Sequence, residues 1–405
     1  MADKAAEGKA AGISGERQQL QVAYGNALLA ARGMGAPETT EAFARLRESV
    51  AGHKDAPERL AADYGLWVGS FTRGELPAMK AHVAAFFRDV ETRPDLPEVS
   101  VAHRIVGTTH WYAGEYVEAR DHLERALASF RPARDDDLAF RFGHDVGVVG
   151  MLYLAFTLWP LGEVERAVSL VGNAQARAAG LTHIVTRAVC EVFAAMFELM
   201  RGSLSHTAVN AVELARIARE HDLPTWRAFG LFLEGAATAH SGAPDGALED
   251  MRRGVKLLRE QHVVFFDGLI KIALAEAEAR AGDLDCALAI LDEALATSER
   301  IGYRTFDTEL YRVRGEMLLK RDPARPAPPA EAFRTAIAVA NEQATRSFEL
   351  RAALALAKLY QSTARPADAH AVLAPALEGF SPTPEMPAIA EAQALLGELS
   401  NPSVG

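Results

Sequence analysis

The chain has 405 residues, 49% of them hydrophobic and 24% charged, a globular composition that excludes a disordered or fibrous protein. It exceeds the roughly 250–300 residues that one compact core serves well, which calls for several domains or a repeat array. A net charge of −11 argues against a nucleic-acid partner, and two cysteines, Cys190 and Cys286, exclude a disulfide framework or a four-thiolate zinc site.

In chain order, residues 1–12 (MADKAAEGKAAG) carry no apolar core of a secretory signal peptide and read as a disordered leader, with a cytoplasmic location expected. Helical patterns over Gln18–Arg32 and Ala36–Val50 form a first, weak pair. Glycines then end one helix and open the next at Gly74, Gly114, Gly162, Gly202, Gly242 and Gly282, at intervals of 40, 48, 40, 40 and 40. Seven residues before these glycines stand Trp67, Gly107, Ala155, Ala195, Gly235 and Ala275; five residues after stand Met79, Ala119, Ala167, Thr207, Ala247 and Ala287. A loop at Arg131–Asp137 accounts for the single 48-residue interval. The most apolar stretch, Val146–Leu161, contains Gly147, Gly150 and Pro160 and is too short to cross a bilayer comfortably, so no membrane span is expected. Asp322–Pro329 (DPARPAPP) predicts a stiff loop inside the eighth hairpin, with helix restarting at Ala330. Ala332 and Ala369 are the small second-helix residues of the last two hairpins, Pro387–Leu399 caps the array, and 401–405 form a tail.

Two antiparallel helices joined by a tight turn need small side chains where their axes come closest, and glycine tolerates the left-handed backbone of the turn. One hairpin cannot bury its apolar face alone, so neighbours stack. The expectation is an all-α solenoid of about nine hairpins with a period near 40 residues, forming one domain over 13–400. Scarce aromatics (7%) beside 31 glycines suit a core built by close backbone approach.

The segment GEYVEARDHLERALA (114–128), with its turn glycine and alanines at +5 and +12, resembles the tetratricopeptide repeat, departing from it in the longer period and in lacking a regular closing proline. QLQVAYGNALLAARGMGAPETTEAFARLRE (19–48) and the region 308–360 resemble the C-terminal helical array of bacterial class III adenylate/guanylate cyclases and of related AAA/STAND-type ATPase signalling regulators. The resemblance implies a right-handed superhelix with the first helix of each hairpin on its concave side. Those relatives carry cyclase and ATPase modules upstream; nothing in these 405 residues matches either, which reads this chain as the sensor or interaction region.

Local catalytic motifs are absent. There is no phosphate loop of the GxxxxGK[ST] type, no HExxH, no GxSxG and no CxxC, so no enzyme activity and no cofactor are expected. Gly33-Met34-Gly35 follows no strand and reads as a helix-ending turn. His103 and His110 stand seven apart on one helix, about 10 Å along its axis, and read as hydrogen-bonding groups rather than metal ligands. Glu191, Glu198 and Glu234 read as structural ion-pair partners of Arg187 and Arg227, and both cysteines as small core residues.

Counting back from each turn glycine by the spacing of the resembled repeat gives candidate concave residues: Tyr64 and Phe71; Arg104, Trp111 and Tyr112; Leu152, Phe156 and Trp159; Met196 and Met200; Phe229, Phe232 and His240. The wall so predicted is apolar and aromatic over hairpins two to six, and charged over seven to nine through residues such as Glu309, Arg312, Glu316 and Arg351. An open groove of that composition is a binding surface for a partner protein or an apolar or amphipathic ligand, with Arg104 and His240 as polar anchors. The alternative is an oligomerisation scaffold whose groove is self-packed core.

Overall fold

A computed structural model describes residues 16–29, 33–51, 57–91, 93–240 and 246–400, with no strand among them. The expected leader, the tail and the turn at Gly242 lie outside the described residues. Helices pair in chain order: α1 (16–29) with α2 (Pro37–Ser49), α3 (Pro57–Arg73) with α4 (Leu76–Val90), and α5 (Glu98–Ala113) with α6 (Tyr116–Ser129). After two single-turn helices, α7 (Pro132–Asp135) and α8 (Leu138–Arg141), the pairs are α9 (Val146–Leu161) with α10 (Val164–Ala179), α11 (Ile184–Arg201) with α12 (Leu204–Glu220), and α13 (Pro224–His240) with α14 (Ala247–Glu260). The array ends with α15 (Asp267–Arg280) and α16 (Leu284–Ile301), α17 (Asp307–Arg321) and α18 (Ala327–Glu342), α19 (Arg346–Ser362) and α20 (Pro366–Leu377), and the single helix α21 (Ala388–Ser400). This is the all-α solenoid of nine hairpins read from the period.

Two boundaries differ from expectation. The segment 131–137 is not plain loop but holds α7, and α18 begins at Ala327 instead of Ala330. Pro328 and Pro329 fall in the first turn of α18, where a missing N–H leaves no intrahelical bond unmade.

The turn glycines Gly74, Gly114, Gly162, Gly202 and Gly282 all have positive φ, from 75° to 99°. At the helix crossings the small residues are required by contact. A Cβ on Gly254 would lie 2.9 Å from both the Ala228 carbonyl oxygen and the Phe232 nitrogen, so α14 packs directly on the backbone of α13.

The two helices of a hairpin bury different amounts. The outer α14 buries one stripe, Ala247, Met251, Gly254 and Leu258, whereas the inner α9 is buried almost all round. The inner helices meet the next turn of the superhelix. Donors near the start of later first helices reach the C-terminal carbonyls of first helices five hairpins earlier. The Val264 amide donates to Thr72 (3.0 Å) and Arg304 N–H to Tyr112 (2.8 Å). Thr305 Oγ1 donates to Trp111 (2.8 Å) and Ser347 Oγ to Trp159 (2.7 Å). Arg351, within α19, reaches back four hairpins to donate to Met200 and Arg201 (3.0 and 3.1 Å), and Arg201 pairs with Glu385 ahead of α21.

Replacing Gly254 by Ala is expected to destabilise the fold by about 1–3 kcal/mol, because overlap with α13 outweighs the gain in helix propensity of about 1 kcal/mol. Gly172→Ala, exposed in α10 with nothing within 4 Å of the added carbon, is expected to raise stability by up to about 1 kcal/mol. Urea unfolding midpoints of the two variants against the parent chain check both signs.

Candidate functional site

The residues predicted to face an open groove face protein instead. Trp111, Leu152, Phe156, Trp159, Met196, Phe229 and Phe232 have 0% exposure, and Phe71, Tyr112 and Met200 are buried. The side chain of His240 lies outside the described residues. The space before these rings is filled from the next turn. Phe266 sits 5.9 Å from Trp111, 5.2 Å from Phe156 and 4.9 Å from Phe193, ring centre to ring centre. Phe306 lies 5.8 Å from Trp111, and Phe348 5.8 Å from Trp159. The second turn of the array covers these rings, which corrects the expectation of an open apolar wall over hairpins two to six. The charged wall is an ion network: Glu309 pairs with Arg312 (2.9 Å) and Arg351 (3.1 Å), and Arg351 lies over the Trp159 ring.

Three predicted residues, Tyr64, Phe71 and Arg104, line space that the described residues do not fill. A cavity of about 210 Å³ is bounded by Asn26 and Leu29 of α1, Tyr64 and Val68 of α3, Phe140 of α8, and the N-terminal ends of α11 and α13, including His183, Val185, Thr225 and Trp226. Asn26 ties α1 to the wall by donating to the Phe140 carbonyl (3.1 Å), and Phe140 itself is exposed beside His183. Past Tyr64, Val68, His144 and Trp226 the cavity adjoins an inner chamber of about 40 Å³, lined also by Trp67, Arg104 and Tyr153.

Arg104 is 2% exposed. Its Nη2 donates to the Tyr64 hydroxyl (3.1 Å), and its guanidinium lies 5.4 Å from the Tyr64 ring and 6.0 Å from that of Trp67. Its Nε has no hydrogen-bond partner, and no carboxylate pairs with it among the described residues. Burial and the nearby Arg104 charge pull His144 down from its ordinary 6.5 to about 3, and burial lowers His183. Both imidazoles are therefore neutral at pH 7, and the described lining of the two chambers holds one charge, that of Arg104, and no acid.

His144, His183 and Trp226 were not among the predicted site residues. One signal was present: the 48-residue interval carries eight residues beyond the common 40, and the segment that makes it long supplies Phe140 and lies directly before His144. Elsewhere, His103 Nδ1 lies 3.0 Å from His122 Nδ1, and His110 Nδ1 lies 2.5 Å from Glu115. No group of three His, Cys, Asp or Glu side chains converges to hold a metal among the described residues. Arg187 pairs with Glu213 (3.9 Å), Arg227 with Asp222 (2.5 Å) and Glu198 with Arg201 (3.1 Å), so the expected pairings of Arg187 and Arg227 are replaced. No described helix is long and apolar enough to cross a membrane.

No family model matches the chain. It is 22% identical over 267 residues to an uncharacterized protein of Rhizobium meliloti, covering 65% of this chain and 26% of that protein, so the chain spans about a quarter of that relative's length. Among solved structures, the fold is similar to a Rap protein complexed with Competence and Sporulation Factor (TM-score 0.61, 10% identity, 95% of this chain and 99% of that one). It is also similar to the Rap conjugation gene regulator of plasmid pLS20 in complex with the Phr* peptide (TM-score 0.50, 11% identity, 94% and 98% covered). These likenesses establish a tetratricopeptide-like helical repeat fold.

Native His144 resists a proton that the unfolded chain accepts below pH 6.5, so its contribution to stability is full above that pH and is lost as pH falls toward 3. The His144→Gln variant is expected to show a shallower loss of stability between pH 6.5 and 4.5. The difference in slope should be at most about 1.4 kcal/mol per pH unit, read from urea melts at several pH values.

Proposed function

We propose that this chain is the ligand-sensing region of a regulatory protein and that its ligand, an apolar or amphipathic small molecule or the end of a peptide, sits in the cavity between α1, α3, α11 and α13. The observation that carries this reading is an unfilled, largely apolar cavity beside the aromatic side chains Tyr64, Phe140 and Trp226. The two Rap proteins of the same fold, one complexed with a factor and one with a peptide, support a binding role for such an array. The resemblance to cyclase and ATPase regulators supports the wider role, in which occupancy of the cavity governs an attached catalytic module; the length of the Rhizobium meliloti relative leaves room for further modules.

A second reading, an assembly scaffold, is favoured by the packed interior and by Val209 and Val212, 68% and 61% exposed three residues apart on α12. It requires a stable dimer that Val209→Glu with Val212→Lys dissolves, as light scattering reads.

The cavity reading is tested with N-phenyl-1-naphthylamine, a neutral apolar fluorophore. Saturable binding of one molecule per chain is expected, weakened at least tenfold by Val185→Trp, which places an indole at the cavity wall. Absence of saturable binding overturns the reading. Unchanged binding by a V185W chain with the parent's circular dichroism spectrum overturns the placement.

A further inference from the structure

A buried arginine needs a counter-charge. Arginine stays protonated in proteins, and removing its charge from water costs several kcal/mol unless an anion and well-placed acceptors replace the lost hydration. Two half-buried arginines of this protein meet that requirement. Arg312 lies between Glu309 and Glu316, and Arg201 between Glu198 and Glu385. Arg104, more buried than either, has among the described residues only the Tyr64 hydroxyl and two aromatic faces. Those faces replace only part of the lost hydration. Its Nε is left unpartnered, and it borders the inner chamber.

We infer that the missing partner of Arg104 is the carboxylate of a bound ligand, whose apolar body occupies the outer cavity. The inference rests on the cavity being a ligand site, as proposed above, and adds the charge and the polarity of entry. Three further observations converge on it. Among the described residues no acid lines either chamber, so none of them competes for the guanidinium or repels an anion. The N-terminal ends of α11 and α13 border the outer cavity, and their dipoles favour negative charge. The polar side chains among the described lining of the outer cavity, Asn26, Tyr64, His144, His183 and Thr225, are all neutral or uncharged, so a cation finds no anionic ligand among them.

The inner chamber, about 40 Å³, is much smaller than the outer space of about 210 Å³, so a compact head group suits the first and the body of the ligand the second. Trp226 and Tyr64 flank the passage, offering aromatic faces to an apolar body.

Decanoate, 1-decanol and decyl phosphate, matched in chain and differing in head group, test this by displacement of N-phenyl-1-naphthylamine. Decanoate is expected to displace the fluorophore at least tenfold more tightly than 1-decanol. Arg104→Met is expected to abolish that preference and to raise the melting temperature of the ligand-free chain, because an unpaired buried charge is gone. Arg104→Lys, which keeps the charge, is expected to keep the preference for decanoate. Equal displacement by decanoate and 1-decanol overturns the anion assignment and leaves the cavity reading standing. Failure of the fluorophore to bind overturns both. Preference for decyl phosphate overturns the carboxylate. An R104M chain that melts below the parent or does not fold shows the arginine to be structural and overturns the inference.

Discussion

The structure depends on how the C-terminal ends of its inner helices are satisfied. A helix leaves its last carbonyls without intrahelical donors, and a buried carbonyl without a partner is costly. Here the inner helices end inside the molecule, where water cannot serve. The carbonyls of Phe71, Thr72, Trp111, Tyr112, Trp159, Met200 and Arg201 are met by donors from Tyr303, Val264, Thr305, Arg304, Ser347 and Arg351, groups roughly 150 to 230 residues further along the chain. A solenoid with only neighbour contacts would be free to open like a spring. These bonds fix its pitch at five hairpins per turn, and that pitch decides whether the concave side is groove or core.

Aromatic side chains reinforce the same join. Nine residues before the small crossing residue of hairpins six to nine stand Trp226, Phe266, Phe306 and Phe348, at intervals of 40, 40 and 42. In hairpins two to five the same position holds Glu58, Glu98, Val146 and Thr186. The second turn thus projects an aromatic row onto the first, against the tryptophans that end α5 and α9. A chain with only 7% aromatics closes a long interior by placing them along one seam.

Much of this fold could be read from the sequence because its causes are local. A turn glycine at positive φ and a small residue at a helix crossing are each demanded by atoms a few ångströms away, so they repeat with the hairpin. The pitch is not local. Helical periodicity says which face of α5 or α9 is apolar, and an apolar face looks the same whether a ligand or Phe266 covers it. Trp111 and Phe156 were therefore placed on the right side of the array and given the wrong neighbour. The aromatic row was legible in the same alignment that yielded the small positions, at an offset where a change between hairpins, and not a constancy, carried the information. Tyr64 and Arg104 were picked out by the count that picked Trp111; they stand earlier along α3 and α5, where the two chambers lie.

The cavity falls at the first rung of that seam. Hairpin one meets hairpin six as hairpin two meets seven: a Cβ on Gly35, just past α1, would lie 2.8 Å from the Gln261 carbonyl oxygen. Its aromatic is Trp226, which stacks on Phe229 of its own helix and borders the cavity, whereas Phe266 fills its rung. The void and the guanidinium of Arg104, which has no carboxylate partner among the described residues, adjoin one another beside this rung. An apolar space next to an unpaired buried cation, with neutral imidazoles on its lining and no acid among its described residues, is complementary to an apolar body with a negative head. Local consistency between sequence and fold is relaxed there in a way that such a molecule would restore.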